Sequence, residues 1–227
     1  LVDTMGFEGR DRTLYIHGPE ARKMRPRGGL LYPMGKFKVE NRDVPYKGSR
    51  VSEVYGCGEF RVVSVPARHS VPAVSYAFIE NDRYSIDPEK AAGMGFSQND
   101  KMFGVIKEKG SCVVAGRRVR EEDISVRTAG RKIVYSGDTE ICDNLVRLAE
   151  GADVLIQDCT YIDEQGEDRP HCHASFPEIL RMTSDLGIKK VILTHFSRKY
   201  GETGKVRKMF AGNPVFEAAE DFYRITL

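Results

Sequence analysis

Residues 131–195 read RKIVYSGDTEICDNLVRLAEGADVLIQDCTYIDEQGEDRPHCHASFPEILRMTSDLGIKKVILTH, and the fold is decided there. KIVYS, ADVLIQD and KKVILTH are near-continuous apolar runs, the pattern of strands covered on both faces. Between the first two, TEICDNLVRLAEG sets Ile141, Leu145 and Leu148 on one helical face and ends at Gly151. Between the second and third, SFPEILRMTSDLG opens with Ser175 and Glu178 in capping-box spacing and closes at Gly187. Strand, helix, strand, helix, strand is the grammar of a parallel α/β sheet buried under helices.

Upstream of residue 81 the chain reads differently. TLYIHGP, KFKVE, EVYGCGEFRVVSVPARH and SYAFIEN predict short, often antiparallel strands broken by Gly and Pro, the mixed half of a sheet. Residues 81–132 are polar and rich in Lys, Arg, Gly and Asp, with a short helix predicted at DPEKAAGMG and a hairpin around CVVAGRRV. That segment is expected to be an insertion into one domain spanning 1–227. The opening LVDTMGFEGR starts at Leu1 and reads like the middle of a helix running into a Gly stop, so further N-terminal sequence is expected.

Composition narrows the classes. With 227 residues, 41% hydrophobic and 30% charged, the chain is long enough for a sizeable core, which excludes disordered, collagenous and disulfide-scaffold classes. No apolar run approaches the ~18 residues of a spanning helix, and no signal-peptide pattern opens the chain, so no membrane partner is expected. A net charge of +2 neither supports nor excludes RNA. Five scattered cysteines without a CxxC pair favour a reduced, cytoplasmic protein.

The chemistry gathers at strand ends. Asp138 follows KIVYSG, Asp158 follows ADVLIQ and His195 follows KKVILT, at the carboxyl edge where open α/β sheets hold their ligands. His69 follows EFRVVSVPAR, and His173 lies in PHCHAS just before a helix. Imidazoles and carboxylates converging on one edge suit a metal-dependent hydrolase. Each also has a plainer reading, since an Asp after a strand often caps a turn and a lone His is often structural. His17 has only that plainer reading. HCH around Cys172 offers alternate residues of one face, but ligands so close rarely make a whole site. Cys159 lacks further triad elements and reads as a small buried residue. No Walker A loop, GxGxxG fingerprint or GxSxG elbow is present.

TMGFEGRDRTLYIHGP, HSVPAVSY, YSGDT, ADVLIQDCTY, HCHAS and LTHFSRKY occur in an order and spacing that resemble ribonuclease Z, the tRNA 3′-processing endonuclease of the metallo-β-lactamase fold. The resemblance spans roughly residues 1–200. It implies an α/β architecture, an αββα metallo-β-lactamase-type sandwich with a projecting insertion, acting as a cytoplasmic homodimer on precursor tRNA. By this likeness His69, Asp138 and His195 are metal ligands for two zinc ions per complete subunit, with Asp138 bridging. His173 matches the histidine that protonates the departing ribose oxygen, and Asp158 the acidic residue paired with it. Ser197 and Lys199 are implied as substrate contacts, and residues 81–132, with Lys101, Lys107 and Lys109, match the tRNA-gripping arm.

Departures matter as much. The family's HxHxDH motif, which supplies most remaining ligands and the aspartate thought to activate water, is absent from the chain. Either the protein is longer by a segment bearing HxHxDH, which is the expectation, or it is a degenerate member. The chain alone is therefore expected to hold metal weakly or not at all and to be inactive. Asp158 stands where Glu is usual, Lys199 stands where the HFSxRY pattern has Arg, turning a bidentate clamp into a point charge, and FSQNDKMFG lacks the arm's Gly-Pro pair. Two rival functions stand beside this one: hydrolysis of small phosphodiesters or sulfate esters on the same fold, and non-catalytic RNA binding.

Overall fold

The computed structural model describes residues 2–23, 37–98, 100–163, 172–201 and 203–227. In chain order, α1 (Val2–Phe7), β1 (Leu14–Gly18), β2 (Val39–Asp43), β3 (Ser52–Gly56), β4 (Phe60–Pro66) and β5 (Val74–Glu80) come first. Next are β6 (Arg83–Ile86), α2 (Pro88–Gly93), α3 (Met102–Lys109), β7 (Ser111–Val114), β8 (Arg117–Arg120), α4 (Glu121–Ile124) and β9 (Ser125–Thr128). The last are β10 (Lys132–Tyr135), α5 (Asp143–Ala149), β11 (Val154–Asp158), α6 (Phe176–Thr183), β12 (Lys190–Thr194), α7 (Thr203–Met209) and β13 (Phe216–Ala218). The chain divides into two compact units, one of Leu1–Ile79 with Arg131–Leu227 and one of Glu80–Gly130.

The first unit is built on a seven-stranded sheet in the order β13-β12-β11-β10-β5-β4-β3. Strands β10 to β13 run parallel, whereas β5 meets β10 and β3 meets β4 antiparallel. Register explains its core: Ala77, Val134, Leu155, Val191 and Phe216 are opposite one another across five neighbouring strands. Their shared face is buried against Leu145, Leu148 and Ala149 of α5, Ile179 of α6 and Val206 of α7. Each such large side chain contributes about 1.5–3 kcal/mol by leaving water.

Local chemistry sets the helix boundaries. Ser175 and Glu178 do form the capping box of α6, Glu178 accepting from the Ser175 backbone at 2.9 Å and hydroxyl at 2.7 Å. Helix α5 begins only at Asp143, later than its apolar pattern indicates, because Thr139 is drawn into loop hydrogen bonds before the helix starts. Ile141 still packs against the core from that loop. In the upstream half, β1 and β2 pair in parallel as a two-stranded sheet, where antiparallel strands were the general expectation.

The second unit has its own core of Ala91, Phe96, Ile106, Cys112, Val114, Val119 and Ile124. Asp87 caps α2, and β7 and β8 form a hairpin turning at Ala115 and Gly116, both with positive φ. Strands β6 and β9 pair antiparallel, and Asp82 accepts from Arg127 at 2.6 Å and from the Gly130 amide at 2.9 Å.

Candidate active site

Because β10, β11 and β12 are parallel, the loops leaving their carboxyl ends share one edge of the sheet. There the chain turns sharply after β10: Gly137 has φ 64°, and a Cβ on it would meet the Val74 carbonyl oxygen at 3.2 Å. Past this turn, Thr139 ties the SGDT loop to the loop after β4. Its hydroxyl accepts from the Arg68 amide at 3.0 Å, and the Glu140 amide donates to the Arg68 carbonyl at 3.0 Å. That stitching carries His69, far upstream of Asp138 in the chain, to the same edge.

His69, Asp138, Asp158, His173 and His195 converge. The His173 ring stands edge-on to His69 with centroids 5.1 Å apart and stacks on His195 at 4.9 Å. His195 Nε2 is 3.4 Å from Asp138 Oδ2. His195 holds a left-handed φ of 62° and Cys172, beside His173, one of 113°, both costly for residues other than glycine.

Asp158, 1% exposed, is the pivot. Its Oδ2 accepts from the Thr139 amide at 3.0 Å and faces His173 Nδ1 at 2.7 Å. Its Oδ1 accepts from the Thr160 amide at 3.0 Å and hydroxyl at 2.7 Å. Asp158, His173 and His195 lie close enough to be a three-ligand metal group. The carboxylate itself is a poor ligand, however, because those four partners occupy its lone pairs. The donors that suit a metal ion are His195 and Asp138, with His69 beside them: His195 Nδ1 is engaged by Thr160 at 2.8 Å, which leaves Nε2 as the nitrogen open to a metal. His69 fits less directly, since its Nδ1 accepts from the Val71 amide across a long 3.3 Å.

The other predicted contacts are placed as follows. Ser197 caps the short turn Arg198–Tyr200, and its amide donates to the Thr160 carbonyl at 3.0 Å. Lys199 lies over the rings of Tyr161 and Tyr200 and pairs with Asp163 at 3.4 Å; bonding to Tyr200 and then Asp163 raises its pKa. Lys101, Lys107 and Lys109 are exposed on or beside α3 in the second unit. His17 lies in β1, its carbonyl accepting from Tyr76. Cys159 is fully buried, and burial followed by Asp158 pushes its thiol up to about 12, an inert group. His171 of HCH lies outside the described residues. Sequence reading missed Thr160 and Thr139, whose only trace was the short polar side chain after each strand-end aspartate.

A family profile described as beta-lactamase superfamily domain matches residues 8–196. Over 99% of its length the chain is 32% identical to a ribonuclease Z of Methanothermobacter thermautotrophicus, of which it spans 73%. The chain belongs to the ribonuclease Z family. A ribonuclease Z of Methanosarcina acetivorans is 34% identical over 88% of the chain, which spans 65% of that relative. Among solved structures, the short form of human tRNase Z aligns with a TM-score of 0.55 at 16% identity, covering 99% of this chain and 71% of that one. A metallo-β-lactamase fold protein from Bacillus subtilis, YhfI, aligns at 0.56 and 16% identity, covering 98% and 68%. The fold expected of the ribonuclease Z family, the metallo-β-lactamase fold, is thereby shown, and so is the large mixed sheet on which it is built.

Proposed function

We propose that the complete protein is a zinc-dependent endoribonuclease that removes the 3′ trailer from precursor tRNA. The observation that carries this reading is the 2.7 Å pairing of Asp158 with His173 beside two further histidines and Asp138, in a chain 32% identical to a ribonuclease Z. His69, Asp138 and His195 would hold the metal, two zinc ions per complete subunit by the family likeness. Zinc, when bound, supplies Lewis acidity that makes water nucleophilic near neutral pH and withdraws charge from the scissile phosphate.

The chain's own residues do the rest. Asp158 accepts the His173 Nδ1 proton, so the ring is aimed with Nε2 toward the reacting edge. With hydrogens on both ring nitrogens, the imidazolium passes its Nε2 proton to the ribose 3′-oxygen as that oxygen's bond to phosphorus breaks, and the ring is left neutral with Nδ1–H on Asp158; general acid catalysis typically speeds such a step by ~10²–10⁴. A cleft of about 460 Å³, lined in part by Tyr46, Arg68, His69, Asn144 and Arg147, opens beside His69 and offers polar and cationic groups to RNA flanking the cut. Ser197 and Lys199 are assigned to substrate on the opposite loop, with Lys199 exchanging Asp163 for phosphate.

The arm reading extends to residues 81–132. The unit Glu80–Gly130 carries nine basic and nine acidic side chains, so tRNA binding there depends on placement of charge and not on its sum. Several acids are engaged in structure: Asp82 with Arg127, Asp87 and Asp100 with backbone amides, Glu122 with Arg120. Exposed Lys101, Lys107 and Lys109 are proposed to meet phosphates. The family likeness supports a cytoplasmic homodimer; among the described residues no helix is long and apolar enough to cross a membrane.

The test is product analysis. The gene's complete product, incubated with precursor tRNA carrying a 3′ trailer, is expected to release an intact trailer in one cut. Hydrolysis of a small phosphodiester without any cut in the precursor would favour the rival small-ester reading. Binding without hydrolysis of either would favour the non-catalytic one.

A further inference from the structure

We propose that Thr160 is a positioning residue that fixes His195 as its Nδ1–H tautomer and thereby presents the Nε2 lone pair toward Asp138 and a metal ion. The geometry leaves little freedom. Thr160 Oγ1 is 2.7 Å from Asp158 Oδ1 and 2.8 Å from His195 Nδ1. A threonine hydroxyl has one hydrogen and two lone pairs, and a carboxylate only accepts. The hydroxyl hydrogen therefore goes to Asp158, and the contact with His195 holds a hydrogen only if Nδ1 brings it. Asp158 Oδ1 and His195 Nδ1 are 3.7 Å apart, too far for a direct bond, so the hydroxyl is the bridge.

Backbone contacts hold the bridge in register. The Thr160 amide donates to the same Asp158 oxygen at 3.0 Å, and the Thr160 carbonyl accepts from the Ser197 amide at 3.0 Å. The Cys159 amide donates to the Thr194 carbonyl at 2.9 Å. His195, in its left-handed conformation, is thus bracketed by bonds to the β11 loop on both sides, which is how a strained residue costing ~1–3 kcal/mol is kept. Asp158 accordingly orients two imidazoles at once, His173 directly through Oδ2 and His195 through Thr160 and Oδ1. Both rings are left with Nδ1 protonated and Nε2 facing the site.

Only the consequence for zinc rests on the reading of His195 as a metal ligand; the tautomer itself is measurable without metal. Long-range proton–nitrogen correlation spectra of the histidine rings, taken on the metal-free complete protein in mildly alkaline buffer with His195 assigned by His195→Asn, reveal which nitrogen is protonated. His195 is expected to show the Nδ1–H pattern in the parent and in Thr160→Ser, which keeps the hydroxyl. Thr160→Val, which keeps the shape, should move it to Nε2–H and weaken zinc binding by titration ~10–100-fold, the usual loss when a ligand's outer partner is removed. An Nε2–H pattern in the parent overturns the proposal even if Thr160→Val does not fold. Nδ1–H persisting in Thr160→Val, or unchanged zinc affinity after the tautomer moves, also overturns it. Failure to cleave tRNA would sink the functional reading and leave the tautomer result standing.

Discussion

Asp158 and His173 meet through Oδ2 and Nδ1 at 2.7 Å, with the carboxylate 1% exposed and the imidazole at the open edge of the sheet. A buried carboxylate on one nitrogen leaves the other as the working atom. If His173 is the general acid, His173→Ala in the complete enzyme should lower turnover ~10²–10⁴-fold with zinc content and tRNA affinity nearly unchanged, because the donor acts in the transition state. Loss of zinc together with activity would make His173 a ligand instead.

Residues 1–227 alone should be poor in metal. Three protein ligands, His69, Asp138 and His195, would serve two ions where closed zinc sites use about four each. Elemental analysis after dialysis should find little zinc on residues 1–227. Two tightly held ions on residues 1–227 would contradict this.

Much of the site was legible because parallel strands place their carboxyl ends together, so three strand-end residues, Asp138, Asp158 and His195, announce one edge. The start of α6 was legible to the residue through Ser175 and Glu178, a local interaction, whereas its end was not: the helix stops at Thr183, before the expected Gly187. Thr160 was not, because the worth of a hydroxyl depends on the loops 158–160 and 195–197 closing on each other. Nor was the parallel pairing of β1 with β2, since side-chain periodicity tells which face is buried and not which strand lies alongside. The late start of α5 reflects competition between Thr139 loop bonds and helix propensity, which only the fold resolves.

Gly130 sits against the Glu80 backbone, and a Cβ there would collide with the Glu80 carbonyl oxygen. Gly130→Ala should therefore cost more than the ~1 kcal/mol typical of point substitutions, read as a lower urea midpoint. An unchanged midpoint would show that the backbone yields freely.

Tyr223 bonds Glu217, and burial first, then that carboxylate, pushes its hydroxyl from an ordinary 10.0 up to about 12. A folded value above the unfolded one means stability that is present below pH 10 and lost as pH rises toward about 12. Tyr223→Phe should flatten the fall in stability across that window. Parallel alkaline curves for parent and variant would show that Tyr223 has no part in it.

The proposed tRNA endonuclease activity is tested most directly by removing the second unit and comparing two substrates. Replacing the whole unit Glu80–Gly130 by a short Gly-Ser turn should raise KM for precursor tRNA strongly while hydrolysis of a small phosphodiester stays near the parent rate at equal metal content. Neutralising Lys101, Lys107 and Lys109 should lessen the salt dependence of tRNA binding by ~0.7–0.9 in slope for each phosphate that no longer meets a lysine. Equal losses on tRNA and on the small ester would contradict the account.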